Sequence, residues 1–311
     1  MKNEKIIISQ NGVALITALL VVALATIAAV AMTTRQQLDI RRTANLIHGE
    51  QLYMYALGGE SLAKHLLSHD KKILAKSIPP LSIPDGKIYF QLEDLQGHFN
   101  LNNLVKKGKA SPKDIILFKR LLRTLELSPE LANVVVDWID SDMDRLPNGA
   151  EDNTYLIGSN KTSYRTSNTL FSSPSEVRLL AGFDNESYLK LLPYISTLPT
   201  RTPINVNTAP LEVLMALAEG LNETDATTII ADTDKKPFNT VSDFVRHPAL
   251  AGLTPYDNLS VESDYFLLTI DLERIQLEQG RILERVRILS SVLHRHSNKF
   301  KVIKRSQGGE L

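Results

Sequence analysis

Between Val13 and Thr34 the chain reads VALITALLVVALATIAAVAMTT, without one charged side chain. As an α-helix rising about 1.5 Å per residue, such a run matches the roughly 30 Å hydrocarbon core of a bilayer. A helix in a soluble core rarely goes so long without charge, so the run predicts a membrane-inserted segment with the rest of the chain folding while tethered to it. A short polar stretch, MKNEKIIISQNG, precedes it. The same order opens a secretory signal, in which a small-residue cleavage site follows the apolar run. Ala29-Val30-Ala31 imitates that site and sets a second reading, a mature chain starting near Thr33. Lys2 and Lys5 lie before the run and Arg35, Arg41 and Arg42 after it, so positive charge does not choose the orientation.

The helix continues past the apolar run. Leu38, Ile40, Ile47, Leu52, Tyr55, Leu62 and Leu66 recur at helical spacing between Arg, Gln and Glu, which predicts one long helix whose second half covers a soluble domain. KIYFQL, residues 87–92, alternates as a strand does, and Gly97 to Leu101 supplies a second short strand. Helix signals follow: Ser111-Pro112, Ser128-Pro129-Glu130, the capping box Ser173-Pro174-Ser175-Glu176, and Asp184 and Thr208 as further caps. After Tyr256, VESDYFLLTI, RIQLEQ and RILERVRIL are β-rich, with a turn expected near Gln279-Gly280 and a last strand from Lys299 to Ile303. Strands on both sides of a helical block predict an α+β fold: one antiparallel sheet, interrupted by an all-α insertion, with the long helix laid on the sheet. The expected segments are a leader at 1–12, a transmembrane helix at 13–34, an α/β core from 35–103 and 253–305, an inserted α-helical domain at 104–252, and a disordered tail at 306–311.

The chain has no cysteine, which excludes disulfides, thiol catalysis and Cys-ligated zinc, and its formal net charge is zero. Its seven histidines are scattered, and no GxSxG, HExxH or P-loop pattern occurs, so the sequence points away from an enzyme. The densest chemistry is acidic. Asp140, Asp142 and Asp144 alternate, and Glu151 and Asp152 follow eleven and twelve residues after Asp140. This spacing imitates an EF-hand loop, but Arg145 stands where that loop needs Gly. Carboxylates so close repel one another unless water or a cation intervenes. A solvated loop and a cation site are both open on spacing alone, with Asp137 a lower-ranked candidate.

Two resemblances add to this. A polar leader ending in Gly12, with an apolar helix beginning directly at Val13, resembles the prepilins cut by prepilin peptidase. GVALITALLVVALATIAAVAM, RQQLDIRRTANL, LEDLQGHFNLNNL, VVDWIDSDMD, GAEDNTY, SPSEVRLL and TPINVNTAPLEVLMALA, in order through most of the chain, resemble the minor pseudopilin K family of the type II secretion system. The resemblance implies cleavage after Gly12 and N-methylation of Val13. It also implies a single-pass inner-membrane protein with its bulk in the periplasm, and a pilin-like core carrying an inserted α-domain. It further implies a place at the pseudopilus tip, minor pseudopilins of the I and J types as partners, and structural calcium in the α-domain. Asp140, Asp142, Asp144, Glu151 and Asp152 are the candidate ligands. Major pilins carry Glu at the fifth mature position, where a carboxylate meets the N-terminal ammonium of a neighbouring subunit. Here that position is Thr17, which brings no charge and so suits a subunit with nothing stacked above it. The competing reading of Thr17 is a hydroxyl bonded back to its own helix.

INVNTAPLEVLMALAEGLNETDATTIIADTDKKPFNTVSDF also resembles a helix-hairpin-helix module, and its alternative is a DNA-binding membrane protein of the competence type. The hairpin, Glu219-Gly220-Leu221-Asn222-Glu223, carries two glutamates that repel phosphate, and no basic stripe accompanies it, so no nucleic acid is expected as a partner.

Overall fold

The structure, a computed structural model, describes residues 11–69, 78–84, 86–157, 163–276, 281–297 and 299–308. The leader up to Gln10 and the turn expected at Gln279-Gly280 lie outside them. The chain divides into two compact units, one ending at Tyr55 and the other beginning at Ala56.

Helix α1, Asn11–His69, supplies the described part of the first unit and the entry to the second. From Val13 to Ile47 every residue is exposed. The hydroxyls inside and just after the apolar run are satisfied by the helix itself: Thr17 donates to the Val13 and Ala14 carbonyls at 3.0 Å each, and Thr26, Thr33 and Thr34 each bond one turn back at 2.8–2.9 Å. A helix that satisfies its own polar groups and turns apolar side chains outward is what hydrocarbon demands.

The second unit is built on a five-stranded antiparallel sheet, in the order β1 (Leu81–Ile83), β2 (Gly86–Asp94), β9 (Tyr265–Gln276), β10 (Arg281–His296) and β11 (Lys299–Gln307). The pairing of β2 with β9, Phe90 opposite Ile270, joins chain from both sides of the helical block, as the sequence predicts. Between them come β3 (Phe99–Asn100), β4 (Val105–Lys106), β5 (Lys109–Ala110), α2 (Pro112–Thr124), α3 (Leu131–Ile139), α4 (Asp152–Ile157), α5 (Asn185–Leu191), β6 (Ile195–Ser196), β7 (Ile204–Asn205), α6 (Leu211–Leu217), α7 (Glu223–Lys235), α8 (Val241–Val245) and β8 (Leu259–Ser260). One apolar core, centred on Phe99, Phe118, Trp138, Leu191, Leu214 and Phe244, runs through this block. Buried Asp114 helps close it, accepting from both Arg201 nitrogens at 2.6 and 3.1 Å and from the Tyr256 and Ser111 hydroxyls.

Several expectations are corrected. The short strand near Gly97 to Leu101 exists, but it pairs in parallel with β6 of the helical block and does not join the main sheet. YFLLTI and RIQ, the described strand parts of the two expected runs, belong to one strand, β9, and β11 runs to Gln307, so Ser306 and Gln307 belong to the sheet and not to a tail. β1 carries no alternation to betray it. Asp184 caps α5 and Ser173 completes its capping box, although the helix there is 3-10. Thr208 does not cap: its hydroxyl donates to Asp94, and Pro210 occupies the N-cap of α6.

The face of α1 that meets the sheet is also not the one its large apolar residues mark. Ala56, Gly59, Glu60, Ala63 and Leu67 are buried, while Leu62 is exposed. Small residues let the helix come close: a Cβ on Gly59 would lie 2.9 Å from the Phe90 ring. Glu60 crosses the seam, accepting from Ser291 Oγ at 2.7 Å on β10, from Arg305 Nε and Nη2 at 2.9 Å each on β11, and pairing with Lys64 at 3.2 Å. Burial acts to raise its pKa, but those hydrogen bonds together win and hold the carboxyl below its ordinary value.

Candidate metal centre

The acidic loop follows α3, whose run LANVVVDWI is buried throughout. The helix stops at Ile139, with the Asp140 N–H bonded to the Val136 carbonyl, and the chain turns out through Asp142 and returns at Gly149. The return is held from beneath by Asp137, which is fully buried and accepts from the Leu146 N–H at 3.3 Å and from the Ala150 N–H. Gly149 has to be glycine because a Cβ there would sit 1.9 Å from Asp137 Oδ2. Gly149→Ala is therefore expected to displace the loop and remove any cation affinity it has, while leaving the far-UV circular dichroism unchanged. Retained affinity would show that the loop's path does not depend on this contact.

This path brings carboxylate oxygens of Asp140, Asp142 and Glu151 within 4.8 Å of one another. Asp140 and Glu151 are buried, and Asp140 Oδ1 and Glu151 Oε1 have no hydrogen-bond partner among the described residues. Burial, followed by the charges of Asp142, Asp137 and Glu151, pushes the Asp140 carboxyl up to about 7. Glu151 is raised by burial and then by Asp137, and Asp137 by its own burial. Two orphaned buried carboxylate oxygens facing a third carboxylate are a donor set that fits a hard cation, which takes oxygen ligands.

The structure does not bring the other two candidates to this point. Asp144 is exposed, and its N–H caps Asp142 Oδ1 at 3.0 Å. Asp152 opens α4 and is engaged by Thr166, whose N–H and hydroxyl reach Asp152 Oδ1 at 3.0 and 2.8 Å, with Arg165 3.7 Å from its other oxygen. Asp137, ranked low on sequence, is the residue that shapes the loop; its three-residue spacing from Asp140 on a helix was the available signal. Trp138, the chain's one tryptophan, packs edge-on against Tyr155 and Tyr164 beside the loop.

A long helix with an apolar N-terminal half, seated by its second half on an antiparallel sheet that a helical block interrupts, defines a pilin-type subunit with an inserted α-domain. Two models of the "Type II secretion system (T2SS), protein K" family match residues 97–200 and 204–262. The chain is 36% identical to type II secretion system protein K of Pseudomonas aeruginosa, over 96% of this chain and 93% of that protein. It is 33% identical to the protein of the same description from Klebsiella pneumoniae, over 96% and 97%. Among solved structures, a chain of the GspK-GspI-GspJ complex of enterotoxigenic Escherichia coli superposes with a TM-score of 0.71 at 25% identity, covering 86% of this chain and all of that one. The chain belongs to the type II secretion system protein K family, and it is a minor pseudopilin.

Proposed function

We propose that this subunit caps the tip of a periplasmic pseudopilus, anchored in the inner membrane by the first half of α1 and associated with minor pseudopilins of the I and J types. The observation that carries the reading is Thr17. It brings no carboxylate, and its hydroxyl is already spent on the Val13 and Ala14 carbonyls, so α1 offers no charge to receive the N-terminal ammonium of a subunit stacked above. Below the tip the same helix has apolar surface for neighbours: Ile47 and Met54 are exposed beyond the expected span. Such side chains on a helix suit packing against partner helices. The structural relative sits in a complex with I and J proteins, which supports the choice of partners. At the tip the protein serves the export of folded proteins across the outer membrane.

Processing by prepilin peptidase between Gly12 and Val13, with methylation of Val13, belongs to the same reading. Intact mass from membranes with the peptidase is expected to match a methylated chain starting at Val13, and without it the full chain. A chain starting near Thr33 would mean ordinary secretion. Because the protein has no cysteine, a single Cys placed at Ile47 or Met54 reports only on partners. Disulfide capture of I- or J-type subunits is expected, and finding this chain at regular intervals along the filament shaft would refute the tip position.

In the inserted domain, calcium held by Asp140, Asp142 and Glu151 supplies the positive charge that lets the loop ionise fully and staples it in place of a disulfide. Helices α6 and α7, turning through Gly220 at a φ of 87°, serve as a helix-hairpin-helix-like packing unit without a nucleic-acid role. Glu219 beside that turn is exposed and pairs with Arg120 at 3.1 Å, so the hairpin presents a carboxylate where a phosphate would have to approach.

A further inference from the structure

The last turns of α1 carry His65 and His69, four residues apart and therefore one above the other on the same helix face. Their ring centroids are 4.2 Å apart, and both residues are exposed. Ala63 and Leu67, on the buried face of the same turns, fix the backbone beneath them. The protonation pattern of one ring is fixed as well. His69 Nδ1 lies 2.8 Å from the His65 carbonyl oxygen. A carbonyl only accepts, so Nδ1 carries a proton and, in the neutral ring, Nε2 carries the lone pair. Metal-ligating imidazoles are oriented in this way, with the other ring N–H given to a backbone carbonyl or a carboxylate. The adjacent cation is drawn off, because Lys64 pairs with Glu60 at 3.2 Å. Other histidines are committed differently: His98 and His247 each face a carboxylate at 3.3 Å, and His294 stacks on Tyr265.

We propose that His65 and His69 form a two-imidazole site for one divalent transition-metal ion of the zinc, copper or nickel class. Two histidines at this spacing on one helix face are the zinc-holding part of the HExxH pattern. Leu66 stands where that pattern carries its glutamate, so the pair binds an ion without supplying a general base. Imidazole nitrogen suits zinc, copper and nickel, whereas calcium takes oxygen ligands. The site is thus chemically distinct from the carboxylates around Asp140 and rests neither on them nor on the tip assignment. A tetrahedral ion held by two side chains keeps two positions for water or for a ligand from another chain. Bound across one turn, the ion ties together the end of α1 that seats on the sheet.

The test uses the full chain without a polyhistidine tag, in a neutral detergent, with excess calcium to fill any oxygen site. Zinc is the affinity probe, read by competition with a chromogenic chelator, and copper is the spectroscopic probe. Zinc is expected to bind, and the electron paramagnetic resonance of bound copper to show coupling to two imidazole nitrogens. His65→Ala and His69→Ala are each expected to weaken zinc binding at least about tenfold and to reduce the copper coupling to one nitrogen. Far-UV circular dichroism should stay unchanged in both, since alanine at an exposed helix position favours the helix. His296→Ala, which removes an exposed histidine of β10, is expected to leave zinc affinity unchanged. Equal zinc affinity in the native protein and either α1 variant, fewer than two nitrogens on copper in the native protein, or an equal loss from His296→Ala would each overturn the proposal.

Discussion

Calcium added to the chelated protein is expected to raise its unfolding temperature and to shift the emission of Trp138, with both responses lost in Asp140→Ala. The physical reason is local. Without a cation, Asp140 and Glu151 each keep a buried oxygen with no partner among the described residues, and the nearby charges of Asp142 and Asp137 oppose their ionisation. A divalent cation removes both penalties at once. At free calcium a hundred times its dissociation constant, binding to the folded state alone stabilises by about 2.7 kcal/mol. For a body of this size that is roughly 5–10 °C. The fluorescence shift should follow because Trp138 stands two residues before Asp140, with its indole N–H buried and unpartnered among the described residues. Asp144→Asn and Asp152→Asn separate this site from a diffuse acidic effect. Asp144 is exposed and Asp152 is committed to Thr166, so both variants are expected to keep most of the response. Equal losses from Asp144→Asn and Asp140→Ala would mean that the three-carboxylate site is wrongly drawn.

The second large effect concerns the seam between helix and sheet. Glu60→Ala is expected to destabilise the unit beginning at Ala56 by about 3 kcal/mol. Removing one partner of a buried pair costs about 3–5 kcal/mol, and the partly exposed Arg305, at 39%, places this case at the lower end. Acid should produce part of the same loss. The folded-state pKa of Glu60 lies below its ordinary value of 4.5, so its contribution is fully present above that pH and is lost as pH falls through the lower folded value. Denaturant unfolding of the full chain in a neutral detergent, followed by circular dichroism from neutral pH downward, checks both points. Glu60→Gln should start less stable and converge on the native protein as pH falls. Parallel pH profiles for the two would show that Glu60 is not the titrating group.

How much of this was legible beforehand depends on the kind of interaction. The long apolar helix was, because its signal is the absence of charge over a continuous run. The interrupted sheet was, because alternation around KIYFQL and in the β-rich run after Tyr256 brackets the capped helices. The buried face of α1 was not: its seam is Ala56, Gly59 and Ala63 with a charged Glu60, and a pattern search looks for large apolar residues. The pairing of β3 with β6 was equally hidden, since two residues carry no periodicity.

The candidate site divides along the same line. The residue types and their crowding between Asp137 and Asp152 are properties of the linear chain, and so is the mismatch at Arg145 that rules out an EF-hand. Which carboxylates meet is decided by the stop of α3 at Ile139 and by the contact of Gly149 on Asp137. Those two constraints fold Glu151 back beside Asp140 and leave Asp144 in solvent. Local composition thus determined that the chain opens on a long uncharged apolar helix, is mixed α/β and is acidic at one loop. Only the three-dimensional path determined which charges share a low-dielectric space, because that depends on distance through the fold and not along the chain.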